Sequence, residues 1–307
     1  MTIRPYTRED LPAIVELRNQ EFPDFEFEAS DIENDLRTLE DRFKPHFWLA
    51  EEDGVLVGTL ELQHDIGSFH EQKWNISVIV KPEFRQRGYG SELLSFAKSQ
   101  CPNLLEWVTI VRETCPEALT FAEKNGFVED RRLFVSELDV SAIDLPEYVQ
   151  SQGEITFHTL AERSDDVIWQ SWYETFNEVR HDIPRRSPPT PIPFDIFLEH
   201  HIRGEILAPD YSVYALENGR VVGFANCFRS VRENSLDQGL TAVARSHRGT
   251  GLAQTLKKNQ IHLAKKAGIT RICTDNDSTN APMLAINRGL GFQPQPSLIM
   301  LAKTFEN

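Results

Sequence analysis

The sequence predicts an α/β protein built from two tandem domains, each a mixed, mostly antiparallel sheet flanked by helices. Three observations point to it. The 307 residues suit about two domains at roughly 150 residues each. Three landmarks recur in the same order: Gly58, Arg85 and Gly126 in the first half, Gly223, Arg248 and Gly291 in the second, at offsets of 165, 163 and 165 residues. Finally, each half mixes hairpins with helices, unlike the strict βαβ alternation of a doubly wound sheet. With 40% hydrophobic and 26% charged residues, the composition is that of an ordinary globular chain.

Taken in order, each half opens on a short strand: Ile3–Thr7, then Ile155–Thr159. Thr7 and Asp10 have capping-box spacing, and Leu11, Ile14, Val15 and Arg18 follow a helical stripe. In the second half Thr159 or Ser164 is expected to cap. Trp169, Trp172, Tyr173 and Phe176 have helical spacing and read as core or lining. The offset at these first strands is about 152 residues, so the second half holds an insertion before its hairpin. The proline-rich stretch Ile183–Pro193 falls there and reads as a rigid extended loop. Asp53-Gly54 and Asn218-Gly219 each favour a type I′ hairpin turn. A third strand follows, Trp74–Val80 and about Leu236–Val243. After a glycine turn come helices at Ser91–Ser99 and Leu252–Ala267, strands at Leu105–Ile110 and Ile269–Thr274, and a last helix before each Gly-Phe pair. A closing strand is expected at Phe134–Val140. With Ser151-Gln152-Gly153 as linker core, the domains are expected at 1–150 and 151–307.

The formal charge is −15. Residues 1–150 hold 15 Lys+Arg against 30 Asp+Glu, and residues 151–307 hold 17 of each, so all of the net charge lies in the first half. That balance argues against a duplex nucleic-acid binder and against adhesion to an anionic membrane. No signal peptide or run of about 18 apolar residues is visible. Cys101, Cys115, Cys227 and Cys273 form no metal spacing. They read as free packing thiols in a reducing cytoplasm, and no metal is expected.

The glycine turns carry the chemistry. Arg85-Gln86-Arg87-Gly88-Tyr89-Gly90-Ser91 and Arg248-Gly249-Thr250-Gly251-Leu252-Ala253 each join a strand to a helix. Such a turn lets backbone N–H groups converge on an anion at a helix N-terminus. Arg85 and Arg248 are placed to add charge-assisted bonds to phosphate. Neither turn has the GK[ST] ending of a P-loop or the third glycine of a dinucleotide fingerprint.

These segments resemble motif A of the GNAT superfamily of N-acetyltransferases, Arg/Gln-x-x-Gly-x-Gly/Ala. Arg85, Gly88 and Gly90 match it in one half, Arg248, Gly251 and Ala253 in the other. The resemblance covers nearly the whole chain as two tandem copies, so a monomer is expected whose domains stand in for a homodimer. It implies that the turns bind the pyrophosphate of acetyl-CoA, used as a co-substrate. The pantetheine arm would lie along Val78, Ile79 and Val80, or along Thr241, Ala242 and Val243. The resemblance also implies a tyrosine acid four residues before the glycine of Gly-Phe. Ala122 and Asn287 stand there instead, and Asn287 is a candidate hydrogen-bond donor. Asn276 and Asn280 match amides that contact the cofactor arm in the superfamily. The first half lacks them, which favours the second domain for catalysis.

General-base candidates are Asp237, Glu233, Glu61 and Glu106, with Asp237 preferred. His200-His201 lies in a helical context where both side chains cannot face one site, so no catalytic or metal role is expected of it. The expected function is acetyl transfer from the thioester to the primary amine of a small molecule. Two alternatives are a non-catalytic acyl-CoA-binding or regulatory protein and an aminoacyl-tRNA-dependent transferase; the acidity of the chain argues against the latter. The stretch Glu16–Asp41 is rich in carboxylates with only Arg18 and Arg37 against them. It is either a solvated face or an acidic wall for a cationic amine.

Overall fold

The computed structural model describes residues 1–23, 27–183, 185–198, 207–230 and 232–306. The first half runs β1 (Thr2–Pro5), α1 (Leu11–Glu21), α2 (Ala29–Thr38), β2 (His46–Glu52), β3 (Val55–Gln63), β4 (Lys73–Val80), α3 (Tyr89–Gln100), β5 (Glu106–Arg112), α4 (Pro116–Lys124) and β6 (Val128–Asp139). The second runs β7 (Ser151–Gln152), β8 (Ile155–Thr159), α5 (Asp166–Val179), α6 (Phe194–Phe197), β9 (Val213–Glu217), β10 (Arg220–Arg229), β11 (Ser235–Val243), α7 (Leu252–Lys266), β12 (Arg271–Asp277), α8 (Ala281–Gly289), β13 (Gln293–Pro294) and β14 (Leu298–Thr304). No helix among the described residues is long and apolar enough to cross a membrane.

Two compact units emerge, Met1–Arg132 with Ser297–Asn307, and Leu133–Pro296. In unit 1 the sheet order is β1-β2-β3-β4-β5-β14, and in unit 2 it is β6-β12-β11-β10-β9-β8-β7. Within each unit the ladders are antiparallel except β4 with β5 and β11 with β12. A cut at residue 150 therefore does not coincide with the compact units. The closing strand of each repeat serves the sheet of the other unit. Side chains on α7 fix residues 140–149 to unit 2. Asn259 exchanges two hydrogen bonds with the Val149 backbone, both 2.9 Å, and His262 Nδ1 lies 2.7 Å from the Pro146 carbonyl. Lys265 donates to the carbonyls of Val140 and Ile143.

Local chemistry accounts for most elements. Asp53 and Gly54 both take positive φ, as do Asn218 and Gly219, the type I′ geometry expected of these pairs. Thr7 and Asp10 close a short box ahead of α1, with Thr7 N–H donating to Asp10 at 2.6 Å. In the second repeat Thr159 and Glu162 form the reciprocal pair. Asp165 rather than Ser164 caps α5, accepting from Ile168 N–H at 3.0 Å. Ser151-Gln152, expected as linker, instead pairs with β8.

Unit 1 has one core under α3 and α4, built on Leu93, Leu94, Trp107 and Phe127, and another under α1 and α2, built on Leu11, Ile14, Ile32 and Phe47. In unit 2 Trp172 stacks on Phe224 under α5, with ring centroids 4.5 Å apart. Leu252, Leu256, Ile261 and Ile272 fill the α7 face. The proline-rich stretch forms neither helix nor strand among its described residues, and Pro184 lies outside them. His200 and His201 also lie outside the described residues.

Candidate functional site

Each repeat ends its third strand in the same turn. The backbone is left-handed at Gln86 (φ +62°) and Gly88 (+94°) in unit 1, and at Gly249 (+77°) and Gly251 (+82°) in unit 2. Left-handed residues at alternate positions turn successive N–H groups to one side, forming a nest for an anion. Gly88 and Gly251 are also the N-caps of α3 and α7. The first-turn N–H groups, which lack intrahelical acceptors, therefore join the nest with the positive end of the helix dipole. Nothing lies within 4 Å of a Cβ built on Gly88, Gly249 or Gly251, so φ alone demands glycine there. Gly90 is required for packing, because a Cβ there would come 2.9 Å from the Phe121 ring.

The motif arginines act on the turns themselves. Arg85 Nε donates to the Val80 carbonyl at 3.0 Å, and its guanidinium pairs with Glu21 at the end of α1. Arg248 Nε donates to the Val243 carbonyl at 3.2 Å, and its guanidinium pairs with Asp182 beyond α5 at 2.6 Å. Arg245 holds the same carboxylate at 2.6 Å. Both motif guanidiniums are thus tied to carboxylates, which leaves each turn its nest N–H groups and, in unit 1, the exposed Arg87 side chain over the Phe84 ring. Gln152 also fastens the second turn, donating to the Thr250 carbonyl at 3.0 Å. In unit 1 the Tyr89 hydroxyl donates to Glu52, so the side chain of Tyr89 turns inward.

Beside each nest the sheet opens. β4 and β5 pair only from Lys73–Glu106 to Asn75–Val108, and β11 and β12 only from Ser235–Arg271 to Gln238–Thr274. Val78, Ile79 and Val80, like Thr241, Ala242 and Val243, lie beyond the last parallel pair. Among the described residues their edge toward β5 or β12 has no ladder partner.

The units differ at this opening. β3 and β4 pair without a register shift from Gly58–Val80 to Gln63–Asn75. β10 and β11 shift between Cys227–Gln238 and Ala225–Thr241. Gly239 and Leu240 there oppose the single residue Asn226, which is a β-bulge. A bulge releases backbone groups from the ladder and re-aims them. Among the described residues, Asn226 Oδ1 and Thr241 Oγ1, beside it, are buried without hydrogen-bond partners.

The remaining candidates separate by location. Asn280 caps α8, accepting from Met283 N–H at 3.3 Å. Asn287 is 1% exposed, so it lies beneath the cleft rather than in it. Its Nδ2 donates to Asn276 Oδ1 at 2.6 Å, and its Oδ1 accepts from Lys257 at 2.7 Å. Asp237 lies one residue before the last parallel pair, on the opposite face of β11 from Gln238. Burial raises its carboxyl, and Asp275, the first residue of β12 past that pair, is raised by the same cause. Glu61 is paired with Arg18 at 3.6 Å and is also raised by burial. Glu106 is buried near Lys73, and Glu233 is exposed before β11. Sequence reasoning missed Lys257, Gln238, Gln260 and Asp275. For Lys257 and Gln260 a signal existed, because the matching positions on α3 are the apolar Leu94 and Ala97.

Each repeat thus sets an anion-binding nest beside the splayed ends of its two parallel strands. A sequence profile of the acetyltransferase (GNAT) family matches residues 11–127 and 168–292. The chain belongs to that family, as two tandem GNAT domains. It is 26% identical over 87 residues to N-alpha-acetyltransferase 30 of Schizosaccharomyces pombe, a match covering 27% of this chain and 58% of that protein. Its fold is similar to a tandem GNAT protein from the clavulanic acid biosynthesis pathway (TM-score 0.76, 19% identity, 99% of this chain and 98% of that one). It is also similar to a GCN5-related N-acetyltransferase from Sphaerobacter thermophilus (TM-score 0.71, 19% identity, 99% and 95%).

Proposed function

We propose that the chain transfers an acetyl group from acetyl-CoA to a primary amine of a small molecule, and that unit 2 performs the chemistry. The observation that carries this is the bulge at Gly239–Leu240, beside the splay of β11 from β12 and absent from β4. A tetrahedral intermediate needs an N–H donor aimed at its oxyanion, and a bulged strand beside an open edge supplies backbone donors outside the ladder. In this reading the Gly249–Gly251 nest takes the pyrophosphate and the free edge of Thr241–Val243 takes the pantetheine amides. Asp237, raised by burial, is poised to accept the proton of the attacking amine. Raising a carboxyl toward neutrality is what suits it to general-base work near neutral pH.

The test is release of free coenzyme A from acetyl-CoA across amino acids, peptides, polyamines and aminoglycosides. The fission-yeast relative is named for α-amine acetylation, so acceptors with a free α-amine lead the panel. Turnover on an amine, lost in Gly251→Asp and kept in Gly88→Asp, supports the reading. A second reading, an acyl-CoA-binding protein without turnover, is favoured by Ala122 and Asn287 at the family's tyrosine position. Tight acetyl-CoA binding with no turnover on any amine would establish it. A cationic acceptor whose KM rises with salt supports an acidic wall at Glu16–Asp41. A flat response makes that stretch a solvated face.

A further inference from the structure

Beneath the cleft of unit 2 lies a buried polar chain with no counterpart in unit 1. Lys257, 1% exposed on α7, donates to Gln238 and to Asn287. Gln238 then donates to Gln260, whose amide donates to the Ala225 carbonyl at 2.7 Å and the Tyr211 carbonyl at 3.0 Å. Asn287 donates to Asn276. The Phe292 ring lies 5.2 Å from the Lys257 nitrogen. The nearby Cys227 thiol is pushed up to about 12 by burial and so stays neutral, while burial pushes Lys257 down to about 7.

The repeat supplies an internal control. Aligning the glycine turns sets Lys257 on Leu94 and Gln260 on Ala97. Aligning the Gly-Phe pairs sets Asn287 on Ala122. Aligning the first parallel pairs, Ser235–Arg271 with Lys73–Glu106, sets Gln238 on Ile76 and Asn276 on Val111. Every unit 1 partner is apolar, and Ile76, Leu94, Ala97 and Ala122 are all buried. The same framework therefore folds with an apolar floor. Burying an ammonium and several amides costs stability that an apolar floor does not, so the fold does not require the polar set.

The ammonium also fixes the direction of the chain. In its protonated form it only donates, and the hydrogen bonds have that form's arrangement, with Gln238 and Asn287 both turning oxygen toward it. Their N–H groups then point onward, and Asn287 presents a donor to Asn276 Oδ1. Asn276 lies on β12 two residues past the last parallel pair. Among the described residues its own N–H donors meet no protein acceptor.

We propose that Lys257, acting through Asn287, is the positioning residue that holds the Asn276 amide with its donors facing the pantetheine side of the cleft. This rests on the functional reading above. The test grafts the unit 1 floor into unit 2 as Gln238→Ile, Lys257→Leu, Asn287→Ala in the full chain. Calorimetry then compares acetyl-CoA with phospho-ADP, the nucleotide half of coenzyme A. The expected variant melts at or above the wild-type temperature and binds phospho-ADP as before. It loses about two- to tenfold in acetyl-CoA affinity, the scale of one neutral hydrogen bond. The single variant Lys257→Met is expected to show the same selective loss, in case the graft fails to fold. Equal affinity for acetyl-CoA in variant and wild type, or equal loss for both ligands, overturns the proposal. Wild-type protein that binds neither ligand overturns the functional reading, and the proposal with it.

Discussion

Replacing Gly251 with alanine isolates the contribution of the nest. Gly251 has φ +82° and no atom within 4 Å of its built Cβ. The substitution therefore meets no clash, and its cost is backbone strain alone. Holding a non-glycine residue in the left-handed region costs about 1–2 kcal/mol. For a unit of this size that lowers the melting temperature by about 2–8 °C. Gly88, at φ +94° and equally open, carries the same strain in unit 1. The two variants should therefore melt alike and differ in function. Relaxation of φ at Gly251 turns nest N–H groups away from a shared anion, and an affinity loss equal to the strain is about five- to thirtyfold. Thermal unfolding and acetyl-CoA titration of both variants, with kcat/KM on the best amine, make the comparison. If Gly88→Ala lowers kcat/KM as far as Gly251→Ala does, the assignment of chemistry to unit 2 is wrong. If Gly251→Ala melts lower but binds acetyl-CoA normally, the nest is not the anion site.

Two further perturbations follow from the side chains that brace the site. Asp182→Asn removes the carboxylate shared by Arg245 and Arg248; KM for acetyl-CoA should rise about two- to fivefold, the range of an exposed ion pair, with little change in melting. Those arginines pull the Asp182 carboxyl down to about 2, so its stabilisation is complete above the ordinary carboxylate range and fades as pH falls toward that value. This pair should therefore add no pH dependence to the wild-type KM between roughly pH 5 and 8. Asn259→Ala removes both hydrogen bonds to the half-buried Val149 backbone and should cost about 1–3 kcal/mol, two bonds at about 0.5–1.5 each. Unfolding midpoints, with faster proteolysis between residues 140 and 150, check it.

The duplication was legible because its markers are local. Asp-Gly and Asn-Gly dictate their turns through backbone sterics, and the two glycine turns fix both the αL positions and the helix starts that follow. The roles of Arg85 and Arg248 were not legible. Their partners, Glu21 and Asp182, arrive from segments far off in sequence, so the sequence alone offers phosphate as the acceptor. Asn287 was found by its position relative to Gly291, and its burial was hidden because nothing local distinguishes a cleft-facing amide from one under the sheet. Lys257 stayed invisible for a related reason. A lysine on an amphipathic helix normally reads as solvated, and only its alignment with Leu94 marks it as buried.

The exchange of closing strands has the least local signal of all. In a duplicated chain either closing strand offers an antiparallel edge to either parallel strand, so pattern alone does not choose. The choice is set by contacts such as those of Asn259, His262 and Lys265 with residues 140–149. Leu138 and Val140, 1% and 0% exposed, belong to the core beneath α7. A fragment of residues 133–296 retains that core and the whole sheet of unit 2, whereas 151–307 lacks both β6 and the segment pinned to α7. Fully burying a side chain such as leucine or valine contributes about 1.5–3 kcal/mol. The loss of Leu138 and Val140 together then amounts to about 3–6 kcal/mol, comparable to the entire stability of many domains. Expressed separately, 133–296 should unfold cooperatively and 151–307 should not, as read by circular dichroism on heating. Cooperative unfolding of 151–307 at the same temperature would mean that β14 can take the place of β6 beside β12, and that the halves of the sequence are the folding units after all.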